Sequence, residues 1–241
     1  MRSYPVPDWL LFINDYVRRG HAYLAGLGLT FEVGSDFAVF AAAYYELSGE
    51  VVLSTYDPEH SYLTPANSFW AIARRSGHCV ATAAIKLIDS HDFRYDLAVG
   101  KVFWDLAPRL APFAEELLTP EFPFMAGKVA YCGAAFVAPE LRQEGINACV
   151  GRMTRLLSIK HFGVEWLCAT CFERVARSTL PLGSNAFSHI APCIVAPAPA
   201  SFPGEPFYLM WSSRDEMLER LRTHSGFGSA SLLQERNHPA S

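Results

Sequence analysis

The sequence predicts an α/β (α+β) protein built on one mixed, twisted sheet flanked by helices, with a helical N-terminal extension. Three observations carry this prediction. The 241 residues are 51% apolar and only 18% charged, enough to enclose a substantial core. Residues 127–171 read as strand, turn, long helix and strand, a βαβ unit that must be buried on both faces. A hairpin precedes that unit, and a further strand and helix follow it.

Asp8 can cap a first helix that runs to Arg19 and ends at Gly20, with Trp9, Phe12, Ile13, Tyr16 and Val17 on one face. Ser35 or Asp36 caps a second, over residues 37–47, before Gly49. Residues 1–66 thus form a helical N-terminal part. The period then changes: residues 68–74, the turn Ser76-Gly77 and residues 78–88 form a β-hairpin. Residues 89–122 hold Trp104, three prolines and a short helix near 111–118, with no firm assignment otherwise. The strand over 127–137 reaches the turn residues Ala138, Pro139 and Glu140. A helix over 143–161 follows, with Ile146, Val150, Met153 and Leu157 at helical spacing. Gly163 ends it, and residues 165–171 form the second strand of the core unit. Residues 192–206, with five prolines, read as a loop, 207–211 as a last strand and 214–222 as a closing helix. The chain is read as a single domain over 1–225, with a flexible tail over 226–241.

The net charge of −4 gives no overall basic field, so nucleic acid is not expected as a partner. The charge is uneven. Residues 1–120 carry 9 basic and 14 acidic side chains, whereas residues 142–177 carry 6 and 3, the one region that favours an anion. The apolar stretch at 9–13 is broken by Asn14 and Asp15 and is too short for a signal peptide. No window approaches the roughly 18 apolar residues of a membrane span. Cys79, Cys132, Cys149, Cys168, Cys171 and Cys193 are scattered through apolar sequence, as buried thiols would be. A cytoplasmic protein with no membrane partner is expected.

The chemistry lies in residues 134–153, AAFVAPELRQEGINACVGRM. A strand delivers the chain to a turn, and the turn opens a helix whose first N–H groups lack internal partners and carry the positive end of the dipole. A glycine there admits close approach, and Arg142 adds charge, so the loop suits a pyrophosphate.

This segment resembles the acyl-CoA-binding signature of the GCN5-related N-acetyltransferase (GNAT) superfamily: an apolar strand ending in valine, a proline two residues on, then Arg or Gln-x-x-Gly-x-Gly or Ala. Val137, Pro139, Arg142 and Gly145 match, and Asn147 stands where the pattern has its last glycine. The resemblance implies a GNAT-like sheet. It implies acetyl-CoA or another acyl-CoA as co-substrate, the pantetheine arm on Ala135, Phe136 and Val137. The pyrophosphate would lie on the loop of Arg142, Gln143, Glu144, Gly145, Ile146, Asn147 and Ala148. Acyl transfer to an amine follows from it, by direct attack and without a metal; the apolar, weakly acidic composition suits a small molecule as the acceptor, and a homodimer is implied by the resemblance alone.

Amine acylation needs a base for the ammonium and an acid for the thiolate. The strand position that holds Glu or His in many relatives is Tyr131, a poor base but a usable acid or water-orienting group, and equally a core tyrosine. The family's tyrosine after the following strand has no counterpart in residues 172–183, where Ser178 and Thr179 are the hydroxyls. His189, on the acceptor side, and Tyr208, a possible acid on the last strand, are further candidates, each with a structural reading, and Glu32, Asp57 and His60 carry no marking pattern. Cys168 and Cys171 have CxxC spacing without a second ligand pair, and on a strand they face opposite ways, so no metal site is expected. The rival to an enzyme is a non-catalytic acyl-CoA-binding or regulatory GNAT-like module.

Overall fold

The structure is a computed structural model that describes residues 6–103, 123–178, 180–194, 207–223 and 226–227. The helix expected near 111–118 lies outside the described residues.

Seven strands form one sheet in the order β1-β2-β3-β4-β5-β7-β6. They are β1 (Thr30–Gly34), β2 (Ser68–Arg75), β3 (His78–Ser90), β4 (Gly127–Val137), β5 (Trp166–Phe172), β6 (His189–Ile194) and β7 (Phe207–Ser213). Every neighbouring pair is antiparallel except β4 and β5, which are parallel and joined by the long helix α4 (Ile146–Phe162). The other helices are α1 (Asp8–Gly26), α2 (Phe37–Ser48), α3 (Phe93–Ala98), α5 (Glu173–Ala176) and α6 (Arg214–Thr223).

The period-2 alternation of the strands divides the core in two. On one face, Ala130, Cys132, Leu167 and Met210 pack with α1, α4 and α6. On the other, Val129, Tyr131, Cys168 and Leu209 pack with α2 and α3 in an aromatic-rich layer of Phe37, Phe40, Tyr56, Phe93 and Phe103. α4 is buried almost all round.

Several sequence expectations shift for local reasons. α1 continues through Gly20 to Gly26, because a side chain at Gly20 would collide with Met153 of α4, and the glycine serves this close crossing rather than a stop. β1 lies within the part read as helical and pairs with β2. Residues 192–194 belong to β6, whose Pro192 sits on an edge strand, where a missing N–H is tolerated. α4 begins at Ile146 rather than at 143, since Gln143 (φ 79°) and Gly145 (φ 71°) are left-handed. Of the expected tail, Phe227 is buried against α1, and residues 228–241 lie outside the described residues.

Candidate functional site

Two departures from regular pairing shape the end of β4. Against β3, Thr82 pairs with Phe136 and Ala84 with Gly133, so Ala134 and Ala135 together face Ala83. This bulge puts Ala134 at φ 47° and turns its carbonyl to the Thr82 hydroxyl at 2.8 Å. Against β5, pairing stops after Tyr131 and Cys168. The sheet therefore splits, with residues 132–137 on one side and 169–172 on the other. Ala135 is exposed, Phe136 half-buried and Val137 buried at the lip of the split.

Beyond Val137 the chain makes one tight helical turn over Pro139–Leu141 and a left-handed turn into α4. Arg142, Gln143 and Glu144 are exposed, while Gly145, Ile146 and Ala148 are buried. The first amides of α4, at Ile146, Asn147 and Ala148, belong to its positive end, and no acidic residue stands in its first turn. Arg142 folds back onto the strand: its Nε donates to the Val137 carbonyl at 3.2 Å, and its guanidinium lies 5.5 Å from the Phe136 ring centre. Asn147 donates from Nδ2 to Asn185 Oδ1 at 3.3 Å.

The loop is covered by the chain itself. A Cβ at Gly145 would collide with the Phe227 carbonyl oxygen and touch the Tyr23 hydroxyl. The Tyr23 hydroxyl donates to the Glu144 carbonyl. The Phe227 ring packs edge-on to Tyr16 at 5.0 Å and lies 5.5 Å from Tyr23. Gly145 thus has an intramolecular use: its left-handed φ and its bare α-carbon let another strand of backbone pass.

The catalytic candidates do not assemble. Tyr131 is 2% exposed, and its hydroxyl bridges the sheet split to Thr170 Oγ1 at 2.5 Å. Burial pushes its phenol far above the ordinary value, against the lowering effect of Thr170, so it stays protonated. The same residue's carbonyl accepts from the buried Tyr56 hydroxyl at 3.1 Å. Ser178 is exposed beyond α5, its Oγ donating to the Val175 carbonyl at 2.6 Å, and Thr179 lies outside the described residues. His189 sits on edge strand β6, two strands beyond β5. There it stacks on Trp211 at 5.2 Å and meets Glu216 Oε1 at 2.8 Å. Tyr208 is half-buried on β7. Glu32 pairs with Arg74 at 2.7 Å, and Asp57 with His60 at 3.0 Å.

Cys168 and Cys171 enter opposite core layers, all six cysteines are free and buried, and no cluster of metal-ligating side chains occurs among the described residues. No helix among the described residues is long and apolar enough to cross a membrane.

Two residues that the sequence reading passed over stand out. The basic excess of residues 142–177 is partly interior, because Arg152 and Arg155 are 0% and 5% exposed. Among the described residues Arg152 donates to the carbonyls of Ser184 at 3.0 Å through Nε, Gly183 at 2.9 Å through Nη2 and Gly226 at 3.1 Å through Nη1. The signal in the sequence was two arginines three residues apart in the middle of a helix, flanked by Val150, Met153, Leu156 and Leu157.

No protein-family model matches the chain, and no curated protein matches it. Solved structures resemble it at low identity. An acetyltransferase of the GNAT family from Streptococcus pneumoniae is 10% identical, with a TM-score of 0.45 over 77% of this chain and 99% of that one. The ribosomal-protein-S5-alanine acetyltransferase from Vibrio fischeri is 12% identical, with a TM-score of 0.45 over 78% and 94%. FeeM, an N-acyl amino acid synthase from uncultured soil microbes, is 14% identical, with a TM-score of 0.39 over 90% and 91%. The observed topology supplies the classification: a seven-stranded sheet with one parallel pair, split beyond that pair and joined across it by α4, is a GNAT-like fold.

Proposed function

We propose that this chain is an acyl-CoA-dependent N-acyltransferase that transfers an acetyl group from acetyl-CoA to the amine of a small molecule by direct attack. The observation that carries the reading is the alignment of three features on one path: the split beyond Tyr131, the strand end at Val137 and the turn through Gly145 into α4. Beyond Tyr131 the edge of β4 is no longer paired with β5, and a pantetheine arm laid along it runs past Ala135, Phe136 and Val137. The amides of Ile146, Asn147 and Ala148 suit a pyrophosphate. Attack of the amine on the thioester carbonyl forms the amide bond and expels the thiolate, which takes up a proton. Tyr131 serves as a fixed hydroxyl at the base of the split rather than as a titrating acid, since its burial keeps it protonated. The acidic balance of residues 1–120 suits a cationic amine. The structures that resemble this chain include acetyltransferases with amine acceptors, such as one for agmatine.

A second reading, an acyl-CoA-binding module without turnover, is favoured by the separation of Ser178 and His189 from Tyr131 among the described residues and by the Phe227 carbonyl over Gly145.

Thermal unfolding with acetyl-CoA, free CoA and ATP tests the common premise. Ligand at roughly 100 times its dissociation constant adds about 2.7 kcal/mol. A shift with both CoA species and none with ATP supports the reading, and no shift with either CoA species overturns it. Release of free CoA from acetyl-CoA across a panel of amines then separates enzyme from binding module.

A further inference from the structure

Buried cations in proteins are paired. Arg155 departs from that rule: it is 5% exposed, and its Nε and Nη2 have no hydrogen-bond partner. Its titratable neighbours offer no negative charge. Burial pushes the Cys132 thiol up to about 12 and raises the Tyr16 phenol, so both are neutral, and Arg152 is a second cation. Arg155 itself is pushed down by burial to about 10 and remains charged at neutral pH. Its guanidinium lies 4.9 Å from the Phe187 ring centre, a contact that offers no acceptor for its N–H groups.

The placement points to a ligand. Arg152 and Arg155, three residues apart, share a side of α4. A Cβ at Gly151 would stand 3.2 Å from Nη2 of Arg155, so the guanidinium reaches back toward the positive end of the helix. Among the described residues Arg152 donates to the carbonyls of Gly183, Ser184 and Gly226, acceptors that phosphate oxygens can replace. The segments it holds, 183–187 and 226–227, cover both Arg155, through Phe187, and Gly145, through Phe227.

We propose that Arg155, with Arg152 beside it, is an interior phosphate site on α4, entered when residues 183–187 and 226–227 move off the helix. The two guanidinium groups call only for a phosphate. That an acyl-CoA carries this phosphate, as one beyond the group seated on the first amides of α4, rests on the function proposed above.

The test measures the affinity of the full-length protein for inorganic pyrophosphate, CoA and pantetheine, which lacks phosphate, in the wild type and in Arg155→Met and Arg155→Lys. Pyrophosphate and CoA should bind the wild type and pantetheine should not. Arg155→Met should raise both dissociation constants at least tenfold while melting, without ligand, at or above the wild-type temperature, because an apolar side chain relieves an unpaired buried charge. Arg155→Lys, which keeps the charge but not the fork, should fall between, and it decides the matter if the Met variant does not fold. Unchanged pyrophosphate affinity in the folded variants, or no pyrophosphate binding by the wild type, overturns the proposal. Pyrophosphate binding that depends on Arg155, with no CoA binding, upholds the site and removes the acyl-CoA reading.

Discussion

At the scale of single residues, glycines and one tyrosine decide how the signature region is read. Gly145 combines φ 71° with a backbone carbonyl in the place of a side chain. Gly145→Ala should therefore destabilise the free protein by about 1–3 kcal/mol through left-handed strain and displacement of Phe227, measured by urea unfolding. A loss below a few tenths of that would show that Phe227 gives way freely. Tyr131→Phe removes a buried hydroxyl and leaves Thr170 without its partner across the split. We expect a stability loss of about 1–2 kcal/mol and an unchanged pH profile of CoA release, since the phenol does not titrate near neutrality. A profile that loses a limb in the variant would restore Tyr131 as the acid. The resemblance pointed at this position, yet only its surroundings tell a protonated core hydroxyl from a working one.

Among the elements, helix starts were legible where short polar side chains cap them and illegible where backbone shape does the work. Of Ser35 and Asp36, Asp36 caps α2, its Oδ1 accepting from Ala38 at 3.0 Å, whereas Asp8 is the first residue of α1 rather than its cap, and Pro7 takes the cap position without a side-chain bond. α6 begins with a reciprocal box: the Ser213 N–H donates to Glu216 Oε2 at 2.7 Å, and the Glu216 N–H donates to Ser213 Oγ at 3.3 Å. Partial burial would raise the Glu216 pKa, but hydrogen bonds from His189 and Ser213 outweigh it and hold the pKa below the usual 4.5. A depressed carboxylate stabilises the fold above its unfolded pKa and loses that contribution as the pH falls through the folded value. Glu216→Gln should therefore be less stable than wild type at neutral pH, with the gap closing below about pH 4. A gap that stays constant between pH 7 and pH 3 would contradict this. α4 shows the opposite case, because no side chain caps it and two left-handed residues set its first turn three positions later than its apolar spacing suggests.

For the whole molecule, α1 and residues 226–227 are tied to the centre. α1 crosses α4 at Gly20, and Phe227 returns from beyond α6 to pack on Tyr16 and Tyr23 of α1 and on Gly145 at the head of α4. Phe227→Ala should cost about 3 kcal/mol or more, as for a buried aromatic truncated to a cavity, and appear as a lower Tm of the full-length chain. A variant that melts like the wild type would place Phe227 outside the cooperative core. If the acyl-CoA reading holds, the same substitution should strengthen CoA binding at Gly145, because it loosens the backbone that lies over the loop.

The sequence by itself determined the sheet class, the parallel β4–α4–β5 unit, the signature path from Val137 to Gly145 and the closing strand and helix. These depend on local periodicity, short-range turns and caps, which a reader of residues can count. Only the tertiary structure decided that 30–34 and 189–194 are strands, that Gly20 is a crossing point and that Phe227 shields the loop. It alone separated the basic residues of 142–177 into exposed ions and two interior arginines. Strand pairing at the sheet edges, helix crossings and desolvation depend on neighbours distant in sequence, and no local pattern of residues encodes which neighbour will arrive.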